Sequence, residues 1–450
     1  MGGMKQYPVY KDSGLSFIDK VPAHWEVKRA KYFFREIDER SEAGDEELLS
    51  VSHITGVTPR SEKNITMFMA ESYKGFKLCH PDDLVINIMW AWMGALGVSR
   101  HRGIVSSSYG VYRLRDKSCF DSVYLDYLAR IPEYVAEYHR RSQGIRSSKL
   151  RMYSDDFFQI PIFCPPIDEQ RRIVTYINHK LAQIDQFICY KRRFIKLLNE
   201  QKTVLINRTV TKGLNSGVPM KLSGIEWIGE MPAHWKANKL KYVVTFIGGG
   251  TPSKNNSNFW QGGDIPWVSP KDMKVFLLSN TQEYITHEGL ANSSCHLIPV
   301  NSLLMVVRSG ILKHSLPCAI NTRTVTLNQD MKAFLPKANE IQVQYLAHLF
   351  TSKQSDLLLV LRKTGTTVES IEYEDLSQLR IPIPPKEEQD NILEFIAQES
   401  AKISAAIAQA EKEIELIEEY RTTLISDAVT GKIDVRDTLE RGAALVAGGV

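Results

Sequence analysis

Pro384-Pro385-Lys386-Glu387-Glu388-Gln389 opens a stretch, closed by Val429-Thr430-Gly431-Lys432, whose reading decides how this chain is built. Between those ends Ile396, Ser400, Ile403, Ile407, Ala410, Ile414, Ile417, Arg421 and Leu424 follow one another at alternating steps of four and three. Seven of these nine are apolar, and such spacing over about four heptads makes the seam of a helix that lies against another helix. The chain has written the same text once before. Pro165-Pro166-Ile167-Asp168-Glu169-Gln170 leads into Ile177, Leu181, Ile184, Ile188, Lys191, Ile195, Leu198, Lys202 and Leu205, each 219 residues ahead of its counterpart. That copy ends on Val210-Thr211-Lys212-Gly213. Prolines stop the strand before each helix, and the acids of the first turn suit the positive end of the helix dipole. One apolar seam alone would be buried on its own domain. Two in one register, with matching ends, point to each other.

The flanking charges agree. Residues 165–213 hold ten Lys and Arg against four Asp and Glu, and residues 384–432 hold five against eleven. Opposite nets of equal size favour pairing the two helices over pairing like with like. A short linker follows the first helix, so a second helix returning from the next globular segment runs back along it. The expectation is an antiparallel pair about 60 Å long with a globular body at either end.

A second repeat opens each half. Gly14-Leu15-Ser16-Phe17-Ile18 and Pro22-Ala23-His24-Trp25 return 210 residues later as Gly224-Ile225-Glu226-Trp227-Ile228 and Pro232-Ala233-His234-Trp235, and Lys31-Tyr32 returns as Lys241-Tyr242. The protein is a tandem duplication. His24 and His234, wedged between Pro-Ala and Trp, read as residues that fix a turn against the helix rather than as catalysts.

Length and composition bound the rest. A chain of 450 residues calls for two or three domains. Cys79, Cys119, Cys164, Cys189, Cys295 and Cys318 form no C-x-x-C, which reads as reduced thiols in a cytoplasmic protein without structural zinc. No apolar leader follows Met1, Gln6 breaks the myristoylation pattern, and no apolar run is long enough to span a bilayer.

Each body alternates short apolar runs with Gly, Pro and Asn. Leu84–Ile88, Gly110–Leu114, Ser302–Val307 and Thr324–Leu327 read as strands, Ser122–Arg140 and Ile341–Leu361 as helices, so the bodies are α+β. They share one charge feature: no acid occurs from Leu84 to Arg115 or from Gly289 to Gln329. Inside the first window stand Arg100, His101, Arg102, Ser107 and Tyr109. Inside the second stand Arg308, Ser309, Lys313, His314, Asn321 and Arg323. Arg suits guanine edges and phosphates, Asn suits adenine, and Ser suits either. Buried strands would also lack acids, but they would not carry these cations. The basic loops before the helices add Arg146, Lys149, Arg362 and Lys363, and the polar run after Gly250 adds Lys254 and Asn255. All are candidate DNA contacts.

Catalytic patterns fail one by one. Phe246-Ile247-Gly248-Gly249-Gly250 fits the F-x-G-x-G of S-adenosylmethionine-dependent DNA methyltransferases, yet no Asn/Asp-Pro-Pro-aromatic tetrapeptide accompanies it. No P-loop is present, because no glycine precedes Lys254. Pro81-Asp82-Asp83 could begin a metal nuclease, but the acid-free window follows it. The expectation is no catalysis and no metal.

The two Pro-Ala-His-Trp motifs, the Pro-Pro-x-x-Glu-Gln helix starts, the Val-Thr-Lys-Gly type endings and Gly248–Pro252 followed by Ile265-Pro266-Trp267-Val268 together resemble the specificity subunits of type I restriction–modification enzymes. The resemblance covers nearly all of residues 7–436. It implies two target-recognition domains, each reading one half of a split double-stranded DNA site, separated by an antiparallel two-helix coiled coil. It also implies that the coil docks two methyltransferase (modification) subunits and that restriction (motor-nuclease) subunits join them. S-adenosylmethionine, ATP and magnesium would belong to those partners.

The expected organisation is therefore 1–164 first recognition domain, 165–213 first spacer helix, 214–383 linker and second recognition domain, 384–432 second spacer helix, and 433–450 tail. The coil seam is expected at Ile177, Leu181, Ile184, Ile188, Ile195, Leu198, Ile396, Ile403, Ile407, Ile414, Ile417 and Leu424. Two alternatives stand beside it: an adenine methyltransferase using Gly248–Gly250, and a coiled-coil scaffold that binds no DNA.

Overall fold

The computed structural model describes residues 5–63, 72–144, 150–337, 340–363 and 368–436. Two long helices, Ile167–Lys212 and Lys386–Val429, dominate it. The chain divides into two compact units, Met1–Lys191 with Glu411–Val450, and Arg192–Ala410. Each unit thus owns the beginning of one long helix and the end of the other.

In the first unit those helical parts run in opposite directions. Asp185 pairs with Arg421, and Lys191 with Glu413 at 2.5 Å, so rising numbers on one helix meet falling numbers on the other. Ile177, Ile184, Ile188 and Leu424 are buried, with Leu181, Ile414 and Ile417 half-buried beside them. The second unit repeats the arrangement. Lys202 Nζ donates to Ser404 Oγ at 3.3 Å, while Gly213 lies against Glu388. There Ile396 and Ile403 are buried, and Ile195, Leu198 and Ile407 half-buried. The cationic rungs Lys191, Lys202 and Arg421 interrupt the apolar seam, and each finds a polar partner on the facing helix. A charge at an a or d position is tolerable on those terms.

Both bodies hang on one antiparallel sheet order. In the first unit it is Phe34–Glu36, Gly110–Leu114, Leu84–Ile86, Leu96–Val98. In the second it is Val244–Gly248, Met331–Pro336, Leu303–Val306, Cys318–Asn321, with Leu277–Leu278 added in parallel at the edge. The centre of the first sheet has apolar cover on both faces. Leu84 and Ile86 join the core that holds the helices, while Val85 turns to a smaller core with Val51, Val57, Val105 and Val111. A strand buried on both faces reads as an unbroken apolar run, which is what residues 84–86 are.

The expected helix over Ser122–Arg140 is two, Ser122–Arg130 and Pro132–Arg141. Pro132 brings no N–H to continue the ladder and holds Ile131 extended (φ −67°, ψ 151°). Ile341–Leu361 likewise divides into Val343–Ser352 and Gln354–Leu361 at Lys353. All six cysteines are unpaired, and burial pushes the Cys79 thiol up to about 12. Among the described residues no helix is long and apolar enough to cross a membrane.

The duplicated motifs meet at the helix ends. Glu169, in the first turn of its helix, is 7% exposed. Its carboxylate accepts from Tyr7 Oη (2.5 Å), His24 Nε2 (2.8 Å) and Trp25 Nε1 (3.0 Å). Burial, reinforced by the bond to Glu169, pushes the Tyr7 phenol well up and keeps it a donor. Glu388 does the same for His234 Nε2 (2.8 Å) and Trp235 Nε1 (2.9 Å). The two histidines hold a turn on the helix, as their setting in the sequence indicates. The acids need a correction: the exposed Asp168 and Glu387 are left for the dipoles, since Glu169 and Glu388 are acceptors for the Pro-Ala-His-Trp turns.

The next residue ties down the body. Gln170 donates to Pro165 O and Cys119 O, both at 2.8 Å, and accepts from the backbone N of Asp121 at 2.9 Å, the residue that caps Ser122–Arg130. Gln389 repeats this with Pro384 O, Glu340 O and the N of Gln342, which precedes Val343–Ser352. The other helix contributes its end. Tyr124 Oη donates to Val429 O at 3.0 Å, and Tyr345 Oη to Val210 O at 2.7 Å. Gly213 and Gly431 end the helices with φ of +72° and +73°, and a Cβ on Gly431 would come within 2.4 Å of Pro22. Both the backbone sign and the closeness of that contact exclude a side chain there.

Glu169→Leu would leave the buried donors of Tyr7 and Trp25 without an acceptor and His24 with water alone, and it should cost about 3–5 kcal/mol in urea unfolding followed by tryptophan fluorescence. Glu388→Leu, with two donors and a more exposed carboxylate, should cost less.

Candidate nucleic-acid interface

The acid-free windows resolve into strands and turns with different roles. In the first unit the strands Leu84–Ile86, Leu96–Val98, Gly103–Val105 and Gly110–Leu114 are almost wholly buried. The absence of acids there belongs to the core. The cations stand on the turns. Arg100, His101 and Arg102 are exposed between Leu96–Val98 and Gly103–Val105. Ser99 fixes that turn, donating from Oγ to His101 O (2.8 Å) and accepting from His101 N (3.2 Å).

Ser107 is exposed on the turn at the other end of Gly103–Val105, so the two turns do not form one cluster. Tyr109 is half-buried against the smaller core, where its hydroxyl accepts from Asn87 Nδ2 at 3.0 Å. Its ring is structural, and burial raises its pKa. Asp83 is equally committed: Arg113 grips it at 2.8 and 2.9 Å and the His80 N–H donates to it at 2.8 Å. Of the pair in Pro81-Asp82-Asp83, Asp83 is thus taken up by structure, while Asp82 accepts from Ser122 Oγ. Sequence reasoning passed over Trp90, 50% exposed beside the short turn Ala91–Met93. The signal was an aromatic pair, Trp90 and Trp92, inside an acid-free window.

In the second unit the structure gathers several candidates at one place. Arg308 and Ser309 lead into the turn Gly310–Lys313, and Arg362 Nη1 donates to Lys313 O at 3.3 Å. The strand Arg362–Lys363 pairs with Ser370–Ile371, and Arg308 bridges to Ser370. Arg308, Ser309 and Gly310 line a cleft of about 710 Å³ together with Pro270, Asp330 and Ser370. Lys313 and His314 are exposed at its flank. The site is not purely cationic, because Asp330 holds Arg308 at 2.8 Å and Asp375 holds Lys363 at 3.4 Å. Arg308 keeps 57% of its side chain exposed all the same.

Other candidates lie elsewhere. Arg323 is exposed on the loop after Cys318–Asn321. Asn321 is a correction: it is 1% exposed and wholly committed, accepting from Ser302 N and donating to Pro299 O and Arg323 O. It closes a loop and is not available to adenine. Lys254 stands over Trp260 at 3.5 Å from the ring centroid and over Trp267 at 5.0 Å, with Glu283 as its ion-pair partner. Asn255 is exposed beside it. Arg146 and Lys149 lie outside the described residues.

Two of the glycines 248–250 have a packing explanation. Val244–Gly248 is an edge strand on Met331–Pro336, and a Cβ on Gly249 would sit 1.9 Å from Asn328 O. One on Gly250 would sit 2.3 Å from Ser294 Oγ. Close approach of neighbouring backbone and side chains explains Gly249 and Gly250, whereas a Cβ on Gly248 would meet nothing.

The two bodies share one sheet order and present different polar turns, and comparison with known proteins gives that arrangement its class. Residues 232–416 match the family described as type I restriction modification DNA specificity domain. The chain is 36% identical over 304 residues to the specificity subunit of the type I restriction enzyme EcoR124I/EcoR124II of Escherichia coli, covering 67% of this chain and 69% of that one. Similarity to the MjaVIII specificity subunit of Methanocaldococcus jannaschii is 25% over 433 residues, covering 93% and 95% of the two chains. Among solved structures, one from a study of complex assembly and conformational transition of the type I R-M system superposes with a TM-score of 0.64 at 15% identity, over 92% of this chain and 100% of that one. The HsdS subunit from Thermoanaerobacter tengcongensis superposes with a TM-score of 0.52 at 14% identity, over 92% and 98%. These two likenesses show the fold.

The chain belongs to the specificity subunits of type I restriction enzymes. Its task is DNA recognition without catalysis, which removes both the methyltransferase and the scaffold alternatives.

Proposed function

We propose that each unit reads one half of a two-part DNA site, and that the long helices set the gap between the halves while docking the methyltransferase subunits. What carries this reading is the duplication itself. The sheet order and the helix-end clamps are the same in both units, whereas the exposed turns around Arg100 and Arg308 differ. One frame with two different reading surfaces calls for two different half-sites. The antiparallel contacts inside each unit support a stem built by the chain from itself. S-adenosylmethionine, ATP and magnesium are then the business of the partner subunits, and the complex works in the cytoplasm.

The helices offer the partners a surface. In the first unit Phe187, Tyr190, Leu416 and Tyr420 are exposed, and in the second Phe194, Leu197 and Val204. Large apolar side chains at helical spacing on the side away from a filled seam favour a protein partner. Leu197→Glu should leave DNA binding intact and weaken co-purification with the methyltransferase subunit; undiminished recovery of the complex would remove this surface from the account.

Arg100→Ala and Arg308→Ala should each weaken binding to the cognate duplex, by about 1–3 kcal/mol where a base edge is contacted. Unchanged affinity and unchanged salt dependence in both would move the reading surface elsewhere. Excising one heptad from each long helix should shift the preferred gap and leave the half-sites as they are. Methylome sequencing reads this directly, and an unaltered gap refutes the ruler.

A further inference from the structure

Lys31-Tyr32 and Lys241-Tyr242 are the part of the duplication that recognition and docking leave unexplained. Each pair lies in a four-residue helix, Ala30–Phe33 or Leu240–Val243. The helix is pinned at its start, where Ala30 N donates to Ile160 O and Leu240 N to Leu379 O, both at 2.8 Å. Packing accounts for the neighbours, because Ala30, Phe33, Leu240 and Val243 are buried. It does not account for the tyrosines, which are 60% and 59% exposed. In both copies the lysine Nζ lies over the adjacent ring, at 5.2 Å in one and 5.3 Å in the other.

A third residue completes each patch. Arg115 N bonds Phe33 O, and its Nε donates to Lys31 O at 3.1 Å and Phe34 O at 3.0 Å. Lys337 N bonds Val243 O, and its Nζ donates to Lys241 O at 2.9 Å. Different residues thus bring a positive charge to the same place. Among the described residues, none of these four cations has a carboxylate at ion-pair distance.

Outward-facing groups retained in two copies whose reading turns have diverged must meet something that is the same for both. We propose that Lys31, Tyr32 and Arg115, with Lys241, Tyr242 and Lys337, form a matched pair of clamps on DNA phosphates, holding the duplex whatever its sequence. The proposal rests on the DNA-recognition reading and adds its sequence-independent half. Phosphates fit because every polar group in the patch can donate and none is anionic, while the backbone presents acceptors only. They are also the same in both half-sites, where the bases differ. A protein partner would reward apolar area, and what each of these three-residue patches offers is one tyrosine ring with a lysine over it.

The test uses the full-length chain and two duplexes, one of mixed sequence and one carrying the cognate site, followed by fluorescence anisotropy over a range of salt. In the K31Q/K241Q variant affinity should fall roughly tenfold for both duplexes, and log K against log salt should flatten by about 2. K31R/K241R should restore both. If the unaltered chain binds neither duplex, DNA reading by this chain fails along with the clamps. Binding by the unaltered chain that K31Q/K241Q does not change overturns the clamps alone. Loss confined to the cognate duplex would make the patch a reading surface. Unchanged DNA binding with loss of the methyltransferase subunit would make it a protein interface. Either of those last results also overturns the proposal.

Discussion

A carboxylate taken out of water at the first turn of a helix is the constraint on which this architecture turns. A buried carboxylate needs donors in place of its lost hydration, and Tyr7, His24 and Trp25 supply them to Glu169. Those donors come from a segment far away in sequence, so satisfying one side chain decides where the whole opening of the chain sits on the helix. Glu388, half-buried, makes the same kind of contact with two donors in the second unit. The glutamine that follows each glutamate extends the constraint to the body by binding backbone at the cap of its first large helix. A head held at several points from one helical turn has little freedom to swivel.

That rigidity explains what evolution could and could not change. The sheet order survives in both bodies although few residues there match, because buried strands need only apolar volume and the right alternation of faces. Turns carry no such burden. The first unit places its cations on a tight turn fixed by Ser99, and the second places them around a short turn beside Arg362–Lys363. The two units therefore differ on parts whose replacement does not disturb the core.

The long helices were legible in the sequence because period, charge and end signals agree over many residues and appear twice. The turn-fixing histidines were legible for the same reason: their surroundings repeat. Much of the rest was not. Strands of two to six residues buried on both faces carry no alternation from which to read partners. Asn321 looked like a base reader because polarity alone does not reveal a buried loop clasp. Glu169 looked like a dipole acid, although its repeat beside Pro-Ala-His-Trp at nearly the same separation was a signal that the two belong together. The acid-free windows mixed two causes, core strands and cationic turns, which only coordinates separate.

The division of the long helices between units has a bearing on how the protein is made. Residues 192–410 form one uninterrupted unit, whereas the first unit needs residues from 411 onward. At about 5–20 residues per second on the ribosome, those 219 intervening residues take roughly ten to forty seconds to emerge. During that interval Ile177, Ile184 and Ile188 have no opposing strip to cover them, and Glu169 holds its donors in an unfinished cavity. The half of the molecule translated first is the half completed last, and the nascent chain must keep an oily stripe out of trouble until its final helix arrives.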